Sequence, residues 1–129
     1  MTSTLTMAVR DSASLGAAGE NSRRLTNNTS RGIAVIIKNT ASTGTSPTLT
    51  VKVQEWTSGA GWTDIAGAVT AAIAGGTPAT TTLVVYPGVT VAANAAVSRP
   101  VGKFFRLSYA VGGSATPTVT FSADVQLLA

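Results

Sequence analysis

Cysteine and histidine are both absent from the 129 residues. That excludes a disulfide scaffold, a thiolate or imidazole metal site, and any triad or dyad built on His or Cys. Charge is scarce as well. Asp, Glu, Lys and Arg make up 11% of the chain, under half of the roughly 25% of an average soluble domain. Nine basic residues face five acids, giving a net charge of +4, so the basicity reflects a shortage of acid and gives only a weak pull toward acidic partners. Two Glu and three Lys leave little to dress the exposed faces of helices. No 18-residue apolar run suggests a membrane span. The opening Met1-Thr2-Ser3-Thr4-Leu5-Thr6 lacks a basic n-region and an apolar h-region, so no signal peptide is expected. No P-loop, GxGxxG or GxSxG pattern occurs.

What is present is β-forming. Thr occurs 21 times, Val 14 times and Gly 13 times, and branching at Cβ suits Thr and Val to a pleated, half-buried surface. Of 57 hydrophobic positions 21 are Ala, leaving 36 larger side chains, enough for one core in a single domain of this size. The surface expected from such a composition is neutral and polar, which suits a subunit of an assembly better than a free monomer.

Residues 1–31 read as an N-terminal arm. Leu5, Met7 and Val9 alternate with Thr4, Thr6 and Ala8 as a short strand, and a small polar stretch follows that holds Arg10, Arg23, Arg24 and Arg31. Two readings fit these arginines: a solvated terminus with fraying ends, or an arm that binds a neighbouring subunit through them. Residues 32–129 carry dense strand signals. Ile33–Lys38 is an apolar run suited to a central strand covered on both faces. Asn39–Pro47 has the Thr, Ser and Gly of a turn. Leu49, Val51 and Val53 alternate with polar residues, and Ser58-Gly59-Ala60-Gly61 places Trp56 and Trp62 on two arms of a hairpin. Ala66–Ala74 fits either a helical turn or a strand and loop. Thr80–Tyr86 is a strand stopped by Pro87-Gly88, and Val89 and Val91 begin a short segment that dissolves in Ala and Asn. Phe105, Leu107, Tyr109 and Val111 point one way, and so do Val119, Phe121, Ala123, Val125 and Leu127; Gly112-Gly113-Ser114 between them predicts a C-terminal hairpin. An echo links Gly44-Thr45-Ser46-Pro47-Thr48-Leu49 with Gly113-Ser114-Ala115-Thr116-Pro117-Thr118-Val119, reading as two strands that enter a sandwich from the same end. The expected fold is all-β, an antiparallel β-sandwich or jelly-roll-like domain with an extended N-terminal arm.

Chemistry is thinly represented. Glu55 and Asp64 flank the Trp hairpin; a spaced carboxylate pair can hydrolyse glycosides, and a Ca²⁺ would need six to eight oxygen ligands that the hairpin does not offer. Solvated carboxylates are the simpler reading, and no catalytic residue, metal or cofactor is expected. Trp56, Trp62 and Tyr86 are candidates for stacking on a ligand, against the plainer reading of a cross-strand contact or a core plug. Arg99-Pro100-Val101-Gly102-Lys103-Phe104-Phe105-Arg106 mixes bases with aromatics as nucleic-acid binders do, but Phe105 and Arg106 must face opposite ways on a strand, so no nucleic-acid partner is expected. Asn27-Asn28-Thr29-Ser30 holds two overlapping sequons, read as a polar loop.

The succession Gly32-Ile33-Ala34-Val35-Ile36-Ile37, then Thr45-Ser46-Pro47-Thr48-Leu49-Thr50-Val51-Lys52-Val53-Gln54-Glu55, then Gly61-Trp62-Thr63-Asp64-Ile65, then Val84-Val85-Tyr86-Pro87-Gly88, then Phe104 to Ser122, resembles small virion proteins of tailed bacteriophages, over residues 32–127. The resemblance implies a capsid decoration (cement) protein: a non-enzymatic β-sandwich, homotrimeric or otherwise homo-oligomeric, on the outside of a phage head. It would stabilise contacts between major capsid subunits, with an N-terminal arm reaching another chain. The virion surface is then the expected location, after synthesis in the host cytoplasm, with no membrane partner. The alternative is a carbohydrate- or receptor-binding module on a phage head fibre or tail.

Overall fold

The computed structural model describes residues 5–28 and 30–129, and for Leu5 the backbone alone. The readings that involve Met1 to Thr4 and Thr29 lie outside these residues. Among the described residues, nine strands form one mostly antiparallel sheet: β1 (Leu5–Gly16), β2 (Glu20–Asn21), β3 (Leu25–Thr26), β4 (Gly32–Thr57), β5 (Gly61–Val69), β6 (Ile73–Ala74), β7 (Ala79–Val85), β8 (Ala96–Val97) and β9 (Phe104–Leu128). The main path runs β1-β9-β4-β7-β8, with β2 and β3 also on β9 and β5 and β6 also on β4. β7 and β8 pair in parallel. The class is all-β, as the composition requires, and among the described residues no helix is long and apolar enough to cross a membrane.

Two strands organise everything else. A straight strand of β4's 26 residues would reach about 85 Å at roughly 3.3 Å per residue, whereas a domain of this length has a radius of gyration near 14 Å. Both β4 and β9 therefore bend midway, and they bend together. Ile33–Asn39 of β4 pairs with Phe121–Leu127 of β9; beyond a stretch of register shifts, Thr48–Glu55 pairs with Phe105–Gly112. The bend folds the sheet into two leaves around one core, in which Ile33, Val35, Ile37, Val119, Phe121 and Val125 of the first leaf join Leu49, Val51, Val53, Phe105 and Leu107 of the second, all fully buried. The result is a β-sandwich.

This bend corrects two sequence-based expectations. Asn39–Pro47 is no turn between strands, since β4 runs on through it; and Gly112-Gly113-Ser114 makes no hairpin, since β9 runs on from Phe104 to Leu128 and its two halves pair with the two halves of β4. The physical reason is that the small residues supply positive φ without ending the ladder. Gly44 (φ 93°) and Gly113 (φ 119°) sit in the bend, along with Ser46, Ala115 and Thr116 at φ between 48° and 58°, a conformation that costs L-residues about 1–2 kcal/mol each. The two echoing segments face each other there, Thr45 against Ser114, so the echo marks one shared corner and not two separate strand entries.

Other expectations hold. The alternation over Phe105–Val111 and Val119–Leu127 is the observed burial pattern. Trp56 and Trp62 are cross-strand partners closing the β4–β5 hairpin. Ala66–Ala74 resolves to strand and loop, with Thr70 buried and bonded in both directions to the backbone of Val51. Ile33–Lys38 lies centrally between β7 and β9, although its outward side is only partly covered: Ala34 is buried, Ile36 half-buried and Lys38 exposed. Within residues 1–31, β1, β2 and β3 all lie antiparallel along β9 of the same chain, past the corner and onto the second leaf. At the far end the leaves are tied by Asn27, whose side chain bonds the backbone of both Ser30 and Val101.

Candidate ligand-binding site

On the second leaf, alternation sends Phe105 inward and its neighbours Phe104 and Arg106 outward. At the same end, β4 delivers Trp56 and β5 delivers Trp62, which meet edge to face with ring centroids 5.6 Å apart. Trp56 keeps 52% of its surface exposed, so the pair is a surface contact and no core plug. With Arg24 and Phe104 the two indoles line a recess of about 320 Å³.

The cations around it are held in place by the aromatics. The Arg24 guanidinium lies 4.3 Å over Phe104, the Lys103 ammonium 5.3 Å from the same ring, and the Arg106 guanidinium 4.5 Å over Trp62. Such contacts are worth about 0.5–1 kcal/mol at exposed sites. Arg106 is further fixed by a polar relay: its Nε donates to Gln54 Oε1 at 2.8 Å, Gln54 Nε2 donates to Asp64 Oδ1 at 2.8 Å, and Lys52 Nζ donates to Asp64 Oδ2 at 3.1 Å. The amide of Gln54 and then Lys52 hold the Asp64 carboxyl below the ordinary aspartate range. For Arg24, by contrast, no protein acceptor lies within hydrogen-bond distance among the described residues.

The carboxylates do not form a pair. Asp64 stands opposite Gln54 and Glu55 opposite Thr63, adjacent positions that face opposite sides of the sheet. Glu55 is engaged by Arg99 at 2.6 Å and Asp64 by Lys52, which removes the shared geometry that two-carboxylate hydrolysis needs. No group of three potential metal ligands occurs among the described residues.

The four arginines of residues 1–31 do not converge. Arg10 is ion-paired with Glu20 at 2.5 Å, donates to the carbonyls of Ala13 and Ser14, and lies 4.5 Å over Phe121. Arg23 donates to the carbonyls of Ala8 and Val9, Arg24 joins the recess, and Arg31 is exposed at the start of β4. Behind Arg10, the Tyr109 hydroxyl is buried with no partner among the described residues, and burial pushes it well above the ordinary phenol range. Tyr86 is not among the residues lining the Trp recess; its hydroxyl donates to the Ala129 carbonyl at 2.7 Å.

Sequence reasoning paired Trp56 with Trp62, but it placed Arg24 in the arm as a partner-binding residue and Phe104 in a basic–aromatic segment, and did not bring the four together. The signal for Phe104 was available: it shares a strand face with Arg106, two residues on. Arg24 lies 80 positions from Phe104 in sequence and carries no such signal.

No family model matches the chain, and no curated protein matches it in sequence. Solved structures do match in fold. A chain of the structure of infectious bursal disease virus, Gx strain, aligns with a TM-score of 0.57 at 15% identity over 98% of this chain, and one from the Gt strain with 0.55 at 14% over 98%. This chain spans 31% and 33% of those two, about a third of their length. A chain from Bacillus endospore appendages, described as disulfide-linked pili, aligns with a TM-score of 0.47 at 19% identity, covering 100% of this chain and 92% of that one. The two virus structures share the fold of this chain.

Proposed function

We propose that this chain is a non-enzymatic structural subunit of a virion, a decoration protein on the outside of a phage head that stabilises contacts between major capsid subunits. The observation that carries the reading is the fold, a bent two-leaf sandwich shared along nearly the whole chain with proteins of a virus structure. The chemistry agrees. The two carboxylates nearest to a catalytic arrangement face apart, and each is paired with a base of its own. Contact with neighbours of about 800 Å² per partner would take roughly an eighth of the 6503 Å² surface.

The N-terminal strands support an arm role. Among the described residues, β1 pairs with β9 alone, along one side. Its middle carries two register shifts, and Arg10 and Arg23 cover four of its carbonyls, devices that blunt an edge against uncontrolled pairing. The same β1–β9 ladder made between copies would exchange the arm and give the homo-oligomer, because a swapped element reuses contacts already present in the monomer.

Purified particles test the reading. The chain should co-sediment with intact heads at one copy or fewer per capsid subunit, appear as density on the outer surface, and raise the temperature at which heads open. Recovery only as a free protein, with particles lacking it, would refute the assignment.

A further inference from the structure

From the recess of Arg24, Trp56, Trp62 and Phe104, we infer that the protein carries a binding site for a carboxylate-bearing sugar, one residue of an acidic glycan. This site is independent of the assembly role: either can fail without the other.

Size, shape and charge each narrow the occupant. At about 320 Å³ the recess lies at the small end of ligand pockets, which run to about 1,000 Å³; it holds a ring or two and no helix. Trp56, half-exposed and in T-shaped contact with Trp62, offers an apolar aromatic surface with a negative π face. The C–H groups on one face of a pyranose suit such a platform. Arg24 supplies the polar half of the recognition. Its guanidinium carbon stands 4.3 Å over the Phe104 ring, and its donors meet no protein acceptor among the described residues, so the fork is free to take a carboxylate. Lys103 and Arg106 add positive charge beside it, while the nearest acids, Glu55 and Asp64, are already neutralised by Arg99 and Lys52. A neutral sugar would leave that cationic rim unmatched. A nucleic-acid strand would want a longer track of cations than this single cluster.

The test uses the full chain at about 0.15 M salt, where diffuse attraction is screened beyond about 8 Å. Tryptophan emission is followed on adding oligogalacturonate, hyaluronan fragments and sialyllactose, with methyl-esterified oligogalacturonate and oligo-dT as comparisons. At least one carboxylated glycan should shift the emission saturably, and its neutral ester should bind about tenfold or more weakly, the smallest loss expected when one charge-assisted hydrogen bond disappears. Arg24→Gln should weaken the acidic glycan by the same factor and leave the residual binding of the ester unchanged. Trp56→Ala should weaken both; because Trp56 is half-exposed, the variant keeps its fold, which its melting curve checks. Three results would overturn the inference: no binding of any carboxylated glycan, binding that ignores both substitutions, or oligo-dT binding as tightly as the best glycan.

Discussion

Asn27 closes the open end of the sandwich, and replacing it is the sharpest check on how the two leaves are held. Its Nδ2 donates to the Ser30 carbonyl at 2.9 Å and the Val101 carbonyl at 3.0 Å, and its Oδ1 accepts from the Ser30 amide at 3.0 Å. The side chain thus ties the turn before β4 to the segment before β9. Asn27 is 6% exposed, so water does not readily replace these partners. At about 0.5–1.5 kcal/mol per hydrogen bond, Asn27→Ala should cost roughly 3 kcal/mol. An unfolding entropy near 2.1 cal/mol/K per residue gives about 0.27 kcal/mol/K for the chain, and hence a fall in Tm of roughly 11 °C. Asn27→Asp keeps the shape but turns a carboxylate oxygen toward two carbonyls, so it should cost more at neutral pH. Burial and those carbonyls raise the new carboxyl's folded pKa above its unfolded value; the variant is therefore most stable below about pH 4 and loses stability as pH rises through the folded pKa. Urea melts between pH 3 and 8 read both effects, with exposed Asn28→Ala as a control within about 0.5 kcal/mol of the parent. A loss under about 0.5 kcal/mol for Asn27→Ala would refute the idea that this residue staples the leaves.

Three further outcomes follow from the same structure. Gly44→Ala would place a Cβ 2.7 Å from Pro117 Cα and 2.9 Å from the Ser114 carbonyl at φ +93°, so denaturant titration should show a loss of about 2 kcal/mol or more; an unchanged midpoint would mean that the corner is not built as described. Tyr109→Phe removes a buried hydroxyl that has no partner among the described residues and should stabilise by about 1 kcal/mol. The raised pKa of Tyr109 makes the parent's stability complete below about pH 10 and declining as pH climbs above it, a decline that melts of the Phe variant should show less steeply. Asp64→Asn should change stability by under about 0.5 kcal/mol, because the ion pair is exposed; its lowered pKa means that this small contribution is present above the ordinary aspartate range and lost as acid protonates the group, which melts at pH 2–5 would register.

Much of the local structure was legible in the sequence. Period-2 alternation named the inward residues from Phe105 to Leu127 and the Trp56–Trp62 hairpin, because a strand's faces follow from its own pleat. The candidate site was half legible. Trp56 and Trp62 are joined by a short turn, whereas Arg24 meets Phe104 only because β3 and β9 share a register. Asn27 read as one more polar loop residue, since its partner Val101 is 74 positions away.

Composition and alternation by themselves determined the all-β class, the single core and the lack of His- or Cys-based chemistry, since these depend on residue type and on neighbours one or two positions apart. Only the tertiary structure decided that Gly44 and Gly113 bend strands instead of ending them, that β1, β2 and β3 lie along β9, and which side chains share the recess. Whether a flexible segment breaks a ladder or turns within it depends on the strand running opposite, and that partner is set by packing between residues far apart in sequence.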